Sequence, residues 1–235
     1  MKHSFLSALV AITLTVSLSG FMALESLLAP RADLWARWES HDPTSTQTVD
    51  HAAWGEFLKT YVKFNSDGVN RIAYSTVTDA DKRSLHNYLA SLRRVNVASL
   101  NRNEQLAYWI NLFNALTVRM ILHFYPVDSI QDINLSNGLF GSSGPWDKKL
   151  IRIDGEMISL NDIEHRILRP IWHDPRLHYA ANHASIGGPN LAARPYDASN
   201  INAMLNQAAS TYVNSSRGVE HSPDGIILSK IYTWF

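Results

Sequence analysis

The side chains that could carry out chemistry are concentrated between residues 159 and 191. Within this stretch, Glu164 falls in the middle of the apolar stripe of a predicted helix over residues 160–169, which begins with a capping box and ends at Pro170. A carboxylate in that position is not a simple surface group, because folding must either desolvate it or pair it with a positive group. It is therefore either one half of a structural ion pair or part of a site.

Histidines and an amide follow Glu164 along the chain. Residues 176–182 are predicted to form a short strand, and its alternation places His178 and Asn182 on one side, with His183 facing the other. Imidazole exchanges protons near neutral pH, so His178 is the candidate general acid or base, oriented by Glu164 or by an Asn amide.

These residue types predict a polar pocket. The predicted catalytic residues are His178, Glu164, His165, Asn182 and His183, with Ser185 as an alternative nucleophile. The predicted binding residues are Asn111, Asn114, Tyr108 and Trp146. Asn111 and Asn114 share one face of a predicted buried helix, where their amides must be hydrogen-bonded, either to hold neighbouring loops or to line the pocket.

Ser185 supports a second hypothesis, a serine hydrolase. Residues 183–187, HASIG, differ from the G-x-S-x-G nucleophile elbow only at the first position, and Asp197 and His221 follow in the required order. The run at residues 188–190, GPN, opposes this hypothesis, because the elbow requires a helix to begin just after the nucleophile.

Neither metal nor phosphate chemistry is predicted. The spacing of His165, His173, His178 and His183 matches no metal-ligand motif. The glycine- and serine-rich run 136–144 has the composition of a phosphate-binding loop, but a predicted strand follows it where a helix would be required. No metal and no cofactor are therefore expected.

The elements that must position these side chains follow from hydrophobic periodicity. Residues 103–125 are apolar on every side, which predicts a helix buried at the centre of a domain. Residues 149–158 predict a hairpin around an Asp-Gly turn, and residues 200–213 predict a further helix. The predicted fold is therefore a single α+β domain with a buried central helix, a β-hairpin and a short mixed or antiparallel sheet.

Composition narrows the classes of function. The 235 residues are 46% hydrophobic, which supplies one sizeable core, and 21 basic residues balance 21 acidic ones without long runs of either sign. No surface for nucleic acid is therefore expected. The absence of cysteine excludes thiol catalysis, disulfides and cysteine-based metal sites.

The N-terminal segment has the pattern of an export signal. Lys2 precedes an apolar run at residues 5–24, which predicts that residues 1–29 are a cleaved signal peptide or, alternatively, an uncleaved membrane anchor. Residues 30–48 are predicted to be a linker and residues 49–235 the globular domain. The expected location is periplasmic or secreted, in a bacterial cell envelope, with a membrane-anchored form as the alternative.

Three motifs resemble one known family. The runs NEQLAYWINLFNALTVRMIL, GPWDKKLIRIDGEMISLNDIEHRILRP and DPRLHYAANHASIGGPNL are similar, in order and spacing, to the domain of unknown function 547 family of bacterial and plant proteins. The likeness extends from about residue 49 to the last residue. The resemblance implies that the chain ends earlier than its relatives, so a truncated C-terminus is expected.

The resemblance also bears on activity. The usual form of the last family motif has cysteine where this chain has His183 and Gly188. If the first cysteine is a nucleophile, the resemblance implies that this chain is a pseudoenzyme. If the two cysteines act as a pair, their joint loss is one coupled change.

Two functions from different classes remain open. The first is an exported domain with a hydrolase-like or degenerate Glu/His/Asn site for an unknown small molecule, peptide or glycan. The second is a non-catalytic scaffold domain of the cell envelope that binds a peptide or a glycan.

Overall fold

The computed structural model describes residues 31–133 and 144–234. These residues form one α+β domain of helices and small antiparallel hairpins, as predicted. The helices are α1 (Ala52–Tyr61), α2 (Asp79–Leu92), α3 (Arg102–Phe124), α4 (160–172), α5 (Leu177–Ala180), α6 (Ile201–Val213) and α7 (Ile231–Trp234). The strands are β1 (Val62–Lys63), β2 (Arg71–Ile72), β3 (Ile151–Ile153), β4 (Glu156–Ile158), β5 (Val219–Ser222) and β6 (Gly225–Leu228), paired in sequence order as three hairpins.

Helix α3 is the centre of the domain. It begins at an Asn101 cap, whose side chain accepts a hydrogen bond from the backbone N–H of Glu104 at 3.0 Å. Every residue from 104 to 118 is buried, because α2, α4 and α6 all pack against this helix. The predicted buried central helix is confirmed.

The predicted hairpin is also confirmed. Strands β3 and β4 are antiparallel, with Ile151 opposite Ile158. The two turn residues, Asp154 and Gly155, have positive φ angles of 43° and 88°, as a two-residue turn of this kind requires.

Residues 33–48, predicted to be a linker, lie against the domain. Trp38 is only 3% exposed, and its ring stands edge-on to that of Trp109 on α3, with centroids 5.1 Å apart. The predicted signal or anchor segment and most of the glycine-rich run, residues 136–143, lie outside the described residues. Within residues 31–133 and 144–234, no helix is long and apolar enough to span a membrane.

Helix α4 differs from its prediction at the C-terminal end. The predicted capping box is present: Ser159 Oγ accepts from Asp162 N at 3.1 Å, and Asp162 Oδ2 accepts from Ser159 N at 2.8 Å. The helix then takes a π form over Asp162–Leu168 and an α form over Arg169–Trp172. The predicted end at Pro170 is wrong, because hydrogen bonds from outside the helix replace those that proline cannot make.

The predicted strand at residues 176–182 is also wrong. This stretch contains the short helix α5, because Asp174 and Pro175 start a helical turn instead of a bend between strands. Asp174 Oδ1 accepts from Arg176 N at 2.9 Å, and the Asp174 carbonyl accepts from Leu177 N at 3.1 Å. An Asp-Pro pair before a helical turn is an N-terminal signal that the strand prediction overlooked.

The amides of α3 generate a stability prediction. Asn111 is fully buried and binds both backbone groups of Tyr196, with Nδ2 donating to the carbonyl at 2.8 Å and Oδ1 accepting from the N–H at 3.0 Å. Asn111→Ala leaves both groups unpaired and is expected to lower the free energy of unfolding by about 2 to 4 kcal/mol in urea denaturation. The exposed Asn87→Ala is the control, with a change expected below about 0.5 kcal/mol. Equal losses in the two variants would contradict the prediction.

Candidate functional site

A cavity of about 890 Å³ opens beside α4, α5 and the loop that follows α5. Its walls are made by residues 128–131, Trp146, Asn161, Glu164, His165, His178, 183–189, Tyr212 and 229–231. The volume is in the range of small-molecule sites in proteins.

Glu164 is the most buried charged group on this cavity, with 3% of the residue exposed. His183 Nε2 lies 2.7 Å from Glu164 Oε2, within hydrogen-bonding distance. His178 Nδ1 lies 3.6 Å from Oε1, and His165 Nε2 lies 3.7 Å from Oε2. Three imidazoles from three segments of the chain therefore surround one carboxylate.

The π form of α4 explains why adjacent residues reach the same site. A π-helix has more residues per turn than an α-helix, so consecutive side chains are separated by a smaller angle. Glu164 and His165 are both buried on the inner side of this segment. The backbone N–H of Arg169 donates to the Glu164 carbonyl, five residues earlier, which is the π pattern at the site itself.

The contact between Glu164 and His183 favours the charged form of both side chains. Burial alone would raise the pKa of Glu164, but the positive charge of His183 and the contacts with His178 outweigh it and hold that pKa well below its usual range. Burial opposes the charge on His183 in the same way, yet the Glu164 carboxylate and the Ala181 carbonyl raise its pKa. Each of the two side chains therefore favours the charged form of the other.

For His165, in contrast to His183, the surroundings favour the neutral ring. Burial lowers its pKa, and the nearby Arg169 adds to the effect against the attraction of Glu164. Arg169 Nη1 lies 3.0 Å from His165 Nδ1, and because a guanidinium only donates, Nδ1 accepts. The proton of the neutral ring is therefore on Nε2, the nitrogen that faces Glu164.

Asn182 holds the loop that carries His183. Its backbone N–H donates to Asn114 Oδ1 at 2.8 Å, its Nδ2 donates to the Pro189 carbonyl at 2.8 Å, and its Oδ1 accepts from Ala184 N at 3.1 Å. Ala184 has φ of 54°, a left-handed conformation that is unusual for a residue with a Cβ. Asn182 thus joins the two ends of the loop and supports its strained residue.

The arrangement around Ser185 differs from a serine-hydrolase triad. Ser185 is exposed on the cavity wall. Asp197 instead accepts hydrogen bonds from Ser199 and Asn200, and His221 is exposed on β5; neither lines the cavity. In the described part of the chain, Ser185 Oγ has no histidine within hydrogen-bonding distance.

Comparison with known proteins gives one match. The model of the family described as "Protein of unknown function, DUF547" matches residues 97–213, which include α3, α4, α5 and α6. The chain belongs to the DUF547 family. Neither the curated proteins nor the solved structures contain a match to it.

The DUF547 segment contains all of the predicted site residues. Glu164, His165, His178, His183, Ser185 and Trp146 line the cavity, and Asn182 supports the loop behind it. Asn111, Asn114 and Tyr108 instead lie within the core and bind the backbone of Tyr196, Ala180 and Leu92. His183 was predicted to face away from His178, but α5 replaces the expected strand and brings both rings to Glu164.

Tyr212 lines the cavity but was not among the predicted site residues. Its Oη lies 3.0 Å from the Gly187 carbonyl and 2.8 Å from Ser229 Oγ, so it joins α6 to two walls of the DUF547 cavity. Its position in the predicted helix over residues 200–213 gave no signal of this contact. In the ranges that the structure describes, no three His, Asp or Glu side chains are arranged to hold a metal ion.

The charged pair predicts how stability depends on pH. Because folding lowers the pKa of Glu164, its contribution to stability is lost as pH falls through the pKa of the folded protein. Because folding raises the pKa of His183, its contribution is lost as pH rises through the pKa of the folded protein. The free energy of unfolding of the wild type should therefore exceed that of Glu164→Gln by the largest amount between pH 4.5 and pH 6.5, the ordinary pKa values of the two groups. Urea denaturation across this pH range measures the difference.

Glu220→Gln is the matched control, since Glu220 is exposed on β5. Its difference from wild type should stay nearly constant over the same pH range. A difference for Glu164→Gln that does not change between acid and alkaline pH would rule out the charged pair.

Proposed function

We propose that the DUF547 domain of this chain is a hydrolase-like enzyme that uses acid–base chemistry on a small molecule, peptide or glycan. The observation that carries the proposal is the buried Glu164 carboxylate, bound to His183 and 3.6 Å from His178, at the wall of a cavity of about 890 Å³. Titratable groups that depart from their usual pKa values beside a cavity are typical of catalytic sites.

The three residues would have different roles. His178 is the general acid or base: it removes a proton from water, the water oxygen bonds to the electrophilic carbon, and the imidazolium returns the proton to the leaving group as that bond breaks. Glu164 orients His178 through the contact at 3.6 Å. His183 neutralises Glu164, so the carboxylate remains buried and ionised through the reaction.

The cavity is what favours a site over a purely structural ion pair. A structural cluster would be filled and closed on all sides, whereas the His183 side chain, which contacts Glu164 directly, is 32% exposed at the cavity wall. Ser185 and Ser229 on the same walls can bind a polar ligand.

The second candidate is a non-catalytic domain that binds a peptide or a glycan. This candidate is favoured by the contacts of His183. Its Nε2 contacts Glu164, and its ring also binds the Ala181 carbonyl, so the ring is already hydrogen-bonded within the protein. The Trp146 ring, 5.3 Å from that of His183, offers an aromatic wall on which a sugar or an apolar side chain can pack.

Activity measurements separate the two candidates. The purified protein is expected to hydrolyse at least one member of a panel of peptide, ester and glycoside substrates, and His178→Ala is expected to lower kcat/KM by about 10²- to 10⁴-fold, the usual range for a general acid or base. His221→Ala is the matched control, because His221 is exposed on β5, and it should retain full activity.

The other outcomes are equally informative. Activity that survives His178→Ala would contradict the proposed mechanism, and loss of activity in Ser185→Ala with His178→Ala unchanged would favour a serine nucleophile. Ligand binding without turnover, detected by calorimetry with the same panel, would favour the non-catalytic domain.

Export to the cell envelope is a separate proposal, supported by Lys2 and the apolar run at residues 5–24. Expressed in full in a bacterium, the protein is expected in the periplasm or medium, with an intact mass that lacks the apolar run. Leu14→Asp, which places a charge within that run, should retain the protein in the cytoplasm. An uncleaved, membrane-bound product would favour the anchor, and an uncleaved cytoplasmic one would contradict export.

A further inference from the structure

The backbone of residues 33–35 is hydrogen-bonded to the helix that carries the site. Asp33 N–H donates to the His165 carbonyl at 2.9 Å, and Trp35 N–H donates to the Arg166 carbonyl at 3.0 Å. Residues 33–38 are called the strap below. The strap lies outside the segment matched by the family model, residues 97–213.

Pro170 explains why these two carbonyls are available. The π pattern pairs a carbonyl with the N–H five residues later, as the Glu164 carbonyl pairs with the Arg169 N–H. The corresponding donor for His165 is residue 170, a proline without an N–H. Arg166 lies where the helix changes to the α pattern, in which its carbonyl would pair with the N–H four residues later, and that residue is again Pro170. Since buried carbonyls need partners, the strap takes the place of the absent N–H groups.

Side chains hold the strap in this position. The Arg166 guanidinium lies 4.6 Å from the Trp35 ring centroid, and its Nε lies 3.3 Å from Asp33 Oδ2. At the other end of the strap, Trp38 is buried against Trp109 of α3. The strap thus connects the core helix to the backbone of α4 beside Glu164 and His165.

We propose that the strap is a positioning element of the site, which sets the place of His165 and, through the same turn of α4, that of Glu164. The expected effect of the strap on catalysis rests on the proposed function. Its effect on the position of His165 does not. Its consequence is that a domain truncated at the predicted boundary near residue 49 would keep every cavity-lining residue and lose the correct geometry of the site.

The environment of His165 provides a readout of this positioning. The groups that face it are Glu164 at 3.7 Å, Arg169 at 3.0 Å, and the more distant His178 and His183. Burial is the main cause of its lowered pKa. If the strap detaches and α4 relaxes outward, His165 becomes more solvated and its pKa should rise toward the ordinary value.

The test compares proline and alanine at one position in the full chain. Asp33→Pro removes the N–H that binds the His165 carbonyl, whereas Asp33→Ala keeps this N–H and removes only the carboxylate. An NMR titration of His165 is expected to shift upward in Asp33→Pro, and to shift less in Asp33→Ala, which loses only the contact between the carboxylate and Arg166. Ala32→Pro is the control for proline itself, because it keeps the Asp33 N–H and should match wild type.

Trp35 supplies a second, independent pair. Trp35→Pro removes both the ring and the N–H that binds Arg166, and Trp35→Ala removes the ring alone. The His165 titration should shift further in Trp35→Pro than in Trp35→Ala. This pair keeps the test decisive if Asp33→Pro proves too unstable to study, which circular dichroism would reveal.

The outcomes distinguish this inference from the proposed function. An unchanged His165 titration in both proline variants, or equal shifts in the proline and alanine variants, would overturn the positioning role. A shift in the proline variants together with no hydrolytic activity in wild type would support the strap and contradict the enzyme. With an active wild type, the proline variants should lose kcat with little change in KM, because the strap acts on the catalytic groups and does not touch the cavity.

Discussion

A carboxylate that is almost completely buried must have its charge compensated or take up a proton, and the structure around Glu164 is organised by that requirement. Removing an ion from water costs several kcal/mol unless nearby charges and hydrogen bonds compensate. Here the compensation comes from the His183 ring at 2.7 Å, whose pKa the carboxylate raises, and from two further imidazoles at 3.6 and 3.7 Å. Each of the three belongs to a different structural unit: α4, α5 and the loop after α5.

The need to hold those three units together explains much of the surrounding polar structure. Asn114, on the central helix, binds the Ala180 carbonyl and the Asn182 N–H, which lie at the two ends of the segment leading from α5 to His183. Asn182 then closes the following loop onto itself. Neither Asn114 nor Asn182 lines the cavity, yet both hold the segment that carries the His183 ring. A core amide of α3, that of Asn114, thus fixes the segment that leads from α5 to the cavity wall.

Pro170 determines which backbone groups of α4 need partners from other parts of the chain. By removing one N–H from a helix, it leaves carbonyls that only another segment can satisfy, and that segment comes from more than 120 residues earlier in the chain. The π form of α4 brings Glu164 and His165 to the same side, and the strap closes the gap that the proline creates. A feature expected to end the helix is the feature that attaches it to the N-terminal part of the domain.

The sequence by itself determined the elements whose signals are local. The buried helix follows from apolar residues on all its faces, the β3–β4 hairpin from its Asp-Gly turn, and the start of α4 from Ser159 and Asp162. The unusual position of Glu164 on an apolar stripe indicated where a site would be. Only the tertiary structure decided which histidines meet that carboxylate, which backbone groups the Asn amides bind, and what completes α4 beyond Pro170. The physical reason is that periodicity, capping and turn preferences act within a few residues, whereas the compensation of a buried charge or an unpaired carbonyl is supplied by whichever distant segment packs beside it.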